Sequence, residues 1–166
     1  MRKLNTFLLA TVLCLGTIGF TQAQSKVAHI NTQELIAAMP AAKAAQTELE
    51  ALGKTYQTDI QASITEYQNT VKQYEAEAST KTDEENQKRG LELQEKQQRI
   101  QQFRADAQKD LAEKEAELFK PIQETAMKAI NEVAKAQGFD YVLDRASLIV
   151  AEGKDILEDV KKKLGI

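Results

Sequence analysis

Residues 41–120 read AAKAAQTELEALGKTYQTDIQASITEYQNTVKQYEAEASTKTDEENQKRGLELQEKQQRIQQFRADAQKDLAEKEAELFK, and this stretch decides the fold. It holds no proline, although Pro40 and Pro121, the only two in the chain, stand at its borders. Apolar residues recur within it at helical spacing: Leu49, Leu52, Tyr56, Ile60, Ile64, Tyr67, Val71, Tyr74 and Ala78. A second ladder follows at Leu93, Ile100, Phe103, Ala107, Leu111, Leu118 and Ile122, with polar residues on two rungs. Steps of three and four place each ladder on one stripe of a helix. The mean step is about 3.6 residues, the period of a nearly straight helix rather than of a tight left-handed supercoil. An apolar stripe of that length needs cover, and the simplest cover is the other stripe. The expected structure is an antiparallel helical hairpin with arms of roughly 35–40 residues, about 55 Å long at 1.5 Å per residue.

Ser79-Thr80-Lys81-Thr82-Asp83 supplies the turn, being free of apolar residues and rich in groups that bond their own backbone. Thr82 and Glu85 have the spacing of a capping box for the second arm. Pairing the ladders without stagger would put the turn about one helical turn later, near residue 85; the capping signal takes precedence. Two segments of a parallel coiled coil are the alternative, and the polar break with its flanking prolines argues against them.

The chain opens with Met1-Arg2-Lys3, then an apolar run over residues 7–20 and the small-residue site Thr21-Gln22-Ala23. That order predicts a secretory signal peptide over residues 1–23, too short to span a membrane. Cleavage after Ala23 would remove Cys14, the only cysteine, so the exported chain would carry no disulfide. It would also remove two basic residues from 22, leaving 20 against 25 acidic ones, a net charge of −5. Nucleic acid is not an expected partner of so acidic a chain.

Residues 24–40 and 121–166 are expected to form one small body, with residues 41–120 as the arm. Residues 26–30 read as a strand, followed by a short helix capped by Asn31 or Thr32 and ended by Pro40. His29, the only histidine, has no partner for a metal site and reads as a half-buried strand residue. Pro121 is expected to start or kink a third helical segment ending at Gly138. Residues 139–144 and 148–151 read as two strands around a turn, and Asp155 with Glu158 as the cap of a last helix. The fold class is therefore α+β, mostly α: a long hairpin projecting from a small β body. Such a body has a marginal core and open strand edges, which self-association would cover. The strand residues expected to serve it are Val27, Ile30, Tyr141, Val142, Leu143, Leu148, Ile149 and Val150.

KVAHINTQELIAAMP (26–40) and GFDYVLDRASLIVAEGKDILEDVKKKL (138–164), with Lys120-Pro121-Ile122 between them, resemble the two ends of the Skp/OmpH family of periplasmic chaperones. The resemblance implies a homotrimer whose β body holds three arms around an open cavity. It further implies a periplasmic protein that holds unfolded outer-membrane proteins without ATP. Two features depart from the family pattern. The family members best known for this work are strongly basic with positive arm tips, whereas this chain is acidic and its tip (Lys81, Asp83, Glu84, Glu85, Lys88, Arg89) is mixed in sign. Contact with lipopolysaccharide or anionic lipid is accordingly not expected. Leu157 also stands where the family often has threonine.

No activated nucleophile, metal-ligand cluster or phosphate-cradling loop is visible, so neither catalysis nor a cofactor is expected. The seam aromatics Tyr56, Tyr67, Tyr74 and Phe103 are candidates for client contact, although such spacing also serves packing. Gly53 and Gly90, each costing a helix interior about 1 kcal/mol relative to alanine, are candidate arm hinges together with Pro121. A structural tether that binds no clients is the alternative function.

Overall fold

The computed structural model describes residues 25–166; the expected signal peptide lies outside them. Strand β1 (Val27–Ile30) leads into helix α1 (Thr32–Ala38), then the long helices α2 (Pro40–Glu77) and α3 (Asp83–Gln137). Strand β2 (Tyr141–Asp144), strand β3 (Lys154–Asp155) and helix α4 (Leu157–Leu164) complete the order.

Local chemistry sets the boundaries. The Asn31 side chain accepts from the Glu34 amide and starts α1. Pro40 ends that helix and occupies the first turn of α2, where its missing N–H costs nothing. At the tip, a 3₁₀ turn over Ala78–Thr80 hands the chain to a capping box. The Thr82 hydroxyl accepts from the Glu85 amide, and the Glu85 carboxylate accepts from the Thr82 amide. The turn lies where the capping signal put it. Gly138 closes α3 at φ 69°, a left-handed conformation open to glycine at little cost.

Two expectations are corrected. The third helical segment is not separate: α3 runs unbroken through Pro121 for 55 residues. Burial of Ile122, Ala126, Ala129 and Ile130 immediately beyond the proline outweighs the one hydrogen bond it removes. Nor do Leu148, Ile149 and Val150 form a strand. The chain turns at Arg145–Ser147, fixed by Asp144 Oδ1 accepting from the Ala146 amide, and crosses over to add β3 on the far side of β1. The sheet order is β2-β1-β3, and β1 pairs in parallel with both neighbours. Strand propensity at Ile149 and Val150 finds no partner within one chain, and both are exposed.

The entire hairpin is thus the connection between two adjacent parallel strands, with Val27 opposite Tyr141 and Ile30 opposite Asp144. Ala28, Ile30, Leu35, Ile156, Leu157 and Val160 form the body core, continuous with the arm root through Ala42, Ala45 and Ile122. His29 is more deeply buried than expected, and its Nε2 donates to the Gly153 carbonyl at 3.1 Å.

Candidate functional site

The arms are the largest surface the sequence builds. They pack along the predicted ladders, yet between root and tip the seam is only half-buried. In α2 the buried residues are Ala42 and Ala45, both at the root; in α3 only Ala107 is buried on the tip side of Ile122. Two helices alone cannot enclose a stripe that a third would cover.

Polar bonds reinforce the seam. Tyr56 donates to Asp110 at 2.6 Å and Tyr74 to Glu92 at 2.7 Å. Lys96 pairs with Glu66 at 2.6 Å, Arg89 with Glu77 at 2.6 Å and Lys114 with Glu48 at 3.4 Å. Arg89 also lies over the Tyr74 ring, 4.5 Å from its centroid. The carboxylate acceptors hold both tyrosines above their ordinary pKa. Lys96 donating to Glu66 lowers that carboxyl; bonds from Gln73 and then Arg89 lower Glu77.

Of the four candidate contact aromatics, Tyr56 and Phe103 stack edge to face, with centroids 6.1 Å apart. Tyr67 and Phe103 line a hollow of about 300 Å³ with Glu66, Lys96 and Arg99. Tyr74 sits in the tip cluster. All four are half-buried in the seam, so the structure brings them to one line but not to one pocket. Gly53, Gly90 and Pro121 lie inside helices, and a Cβ at either glycine would meet nothing within 4 Å. Of the strand residues, Ile30 is in the core and Val142 packs against it, whereas Val27, Tyr141 and Leu143 face outward. Among the described residues no group of three or more His, Cys, Asp or Glu could hold a metal ion, and no helix is long and apolar enough to cross a membrane.

A feature missed from the sequence is the difference between the two edges of the hairpin. The cross-arm bonds just named lie on one edge, whereas Gly53, Gln57, Gln61, Arg104 and Gln108 line a groove of about 340 Å³ on the other. Its signal was present one residue past several ladder rungs, where Gln57, Gln61, Gln68, Gln101 and Gln108 stand.

The family model described as outer membrane protein (OmpH-like) matches residues 26–164, which is the sheet, both arms and the whole of the last helix. The chain belongs to that family. A chaperone protein Skp from Photorhabdus laumondii is 25% identical over 161 residues, covering 92% of this chain and 98% of that one. Outer membrane protein 26 from Haemophilus influenzae is 44% identical over 63 residues, covering 37% of this chain and 30% of that protein. The fold is similar to the crystal structure of an OmpH-like protein from Caulobacter crescentus CB15, with a TM-score of 0.76 at 20% identity over 86% of this chain and 85% of that one. The shared OmpH-like fold is therefore this one: long helices on a small strand body.

Proposed function

We propose that this protein is an ATP-independent holding chaperone of the periplasm, exported by its signal peptide, which encloses unfolded outer-membrane β-barrel proteins between its arms. Membership of the OmpH-like family supports a chaperone role, and the observation that carries the finer reading is the half-buried seam. A hairpin whose seam is this shallow can bend as a unit, so that the hairpins of an assembly adjust to cargo of different sizes, with Gly53, Gly90 and Pro121 as yielding points. Tyr56, Tyr67, Tyr74 and Phe103, half-buried in the seam, keep part of their surface in water as contact residues. Many such weak contacts in a confined space give high avidity through effective concentration.

Residues 24–40 with 121–166 serve as the body and residues 41–120 as the arm. We read the working unit as a homotrimer. Ile149 is fully exposed and Tyr141 is 59% exposed beside the open edge of β2, so a second copy has an unpaired edge and apolar side chains to cover. No catalytic step, cofactor, nucleic acid or lipopolysaccharide contact belongs to this reading.

The test is dilution of a urea-unfolded outer-membrane β-barrel into buffer with the protein present. Suppressed light scattering near one trimer per client is the expected result. Undiminished aggregation would leave the tether reading in its place.

A further inference from the structure

The two long edges of the hairpin differ in chemistry. Successive residues of a helix turn by about 100°, and the rods run antiparallel, so residues following the seam rungs in either arm share one edge and residues preceding them share the other. The preceding edge carries Glu48, Glu66, Glu77, Glu92, Lys96 and Asp110, laced across the seam by the bonds described above.

The following edge is built differently. Gln57, Gln61 and Gln68 form a row on α2, and Gln97, Gln101 and Gln108 form a row on α3; all six are exposed. Between the rows the groove has an apolar floor of Ile60, Ile64, Ala107 and Leu111, and Arg104 is its only charged lining residue. Over residues 53–68, no hydrogen bond or ion pair among the described residues ties the arms together along this edge. In a chain that is 28% charged, an edge of this length with a single charge, Arg104, is a distinct surface.

Its chemistry specifies what it can hold. A glutamine amide offers two donors and an acceptor, the complement of a peptide N–H and C=O. Two rows of amides flanking a greasy floor therefore suit a strand whose backbone groups are unpaired and whose alternate side chains are apolar. A basic occupant would leave its charge facing amides, hydrocarbon and the Arg104 guanidinium, without a counter-ion. Fifteen residues of helix rise about 22 Å, the length of about seven extended residues.

We infer that this glutamine-lined edge is a docking groove for an extended segment of non-native polypeptide, held through its backbone by the glutamine rows with its apolar side chains on the Ile60–Leu111 floor. Recognition of backbone rather than sequence allows many clients. The inference rests on the holding function proposed above and deepens it by naming the surface.

The mature chain is tested with a fluorescent peptide of about ten residues alternating valine and serine, and with the same peptide N-methylated at alternate residues to remove backbone donors. The wild type should bind the first and bind the second more weakly. The double variant Gln61→Glu, Gln108→Glu, at exposed helix positions that leave the fold intact by circular dichroism, should lose about fivefold or more in affinity, roughly 1 kcal/mol. The control Thr58→Glu, Asn69→Glu, which adds the same charge on the back of α2, should stay within about twofold.

No binding by the wild type, equal losses in both variants, or no loss in the glutamine variant would overturn the inference. A changed oligomer mass with unchanged peptide affinity would do so too, by showing that a second copy covers the groove. Failure to hold the unfolded barrel would sink the proposed function. Barrel holding that survives in the glutamine variant, with peptide affinity also unchanged, would sink the groove alone.

Discussion

The body and the arms are built from the same apolar residue types, but they bury them to very different depths. Leu35, Ile156 and Val160 are 0% exposed and Ile30 is 1% exposed, whereas in the arms Tyr56, Ile60, Tyr67, Ile100 and Phe103 all keep part of their surface in water. Helices α1, α3 and α4 packed on one another beside the sheet can close over a side chain; a pair of rods cannot. The difference assigns stability to the body and compliance to the arms.

The largest test of that contrast is truncation in each region. Leu35→Ala should cost about 3 kcal/mol in urea unfolding, since it leaves a cavity in the body core, while Ile60→Ala at the open seam should cost roughly 1 kcal/mol. Equal losses would break the comparison.

Stiffening the arms comes next. Gly53→Ala with Gly90→Ala meets no steric obstacle and should add about 1–2 kcal/mol of helix stability between the two positions. Amide exchange should slow in the arms and not in the body, and small-angle scattering should report a narrower arm spread. An unchanged spread would dismiss the glycines as hinges.

Acid should act on the arms, and on the body too, where hydrogen bonds from Thr32 and Gln137 hold Asp144 and Asp159 low. Glu66 and Glu77 titrate below their ordinary value of 4.5 in the folded chain. Their contribution is therefore complete above that value and is lost as pH falls through the lowered one. Arm amides should lose protection progressively below about pH 4.5, and added salt should mimic part of the loss at neutral pH. Tyr56 and Tyr74 run the opposite way: their pKa is raised, so their support is complete below pH 10 and fades as pH rises further.

The smallest effect concerns single seam bonds. Tyr56→Phe should quicken exchange around Asp110 without moving the global unfolding midpoint. A shifted midpoint would place more of the stability in the arms than the burial pattern allows.

The hairpin was legible because its signals are local. The ladders of Tyr56, Ile60 and Ile64 and the Thr82–Glu85 box each lie within a few residues of what they determine. The same locality misled at Pro121, where the rule for a proline was overruled by packing of Ile122 and Ala126 against the body. It misled again at residues 148–151, since whether Ile149 joins a sheet depends on which edge of β1 is free, and β1 lies more than a hundred residues away in sequence. The seam aromatics fell where their spacing put them. The unlike edges did not declare themselves, because a glutamine after a rung has meaning only once the opposing rod supplies its own row.

Because the rods leave the sheet at Ile30 and return at Tyr141, directly beside their point of departure, their length is free of the sheet's geometry. Matched segments added to both rods, in whole turns, would in the proposed assembly deepen the space between subunits without disturbing a single strand pairing. On the proposed holding function, capacity is therefore an independently adjustable dimension: a lineage could be fitted to bulkier cargo by lengthening its rods, leaving the foundation unaltered.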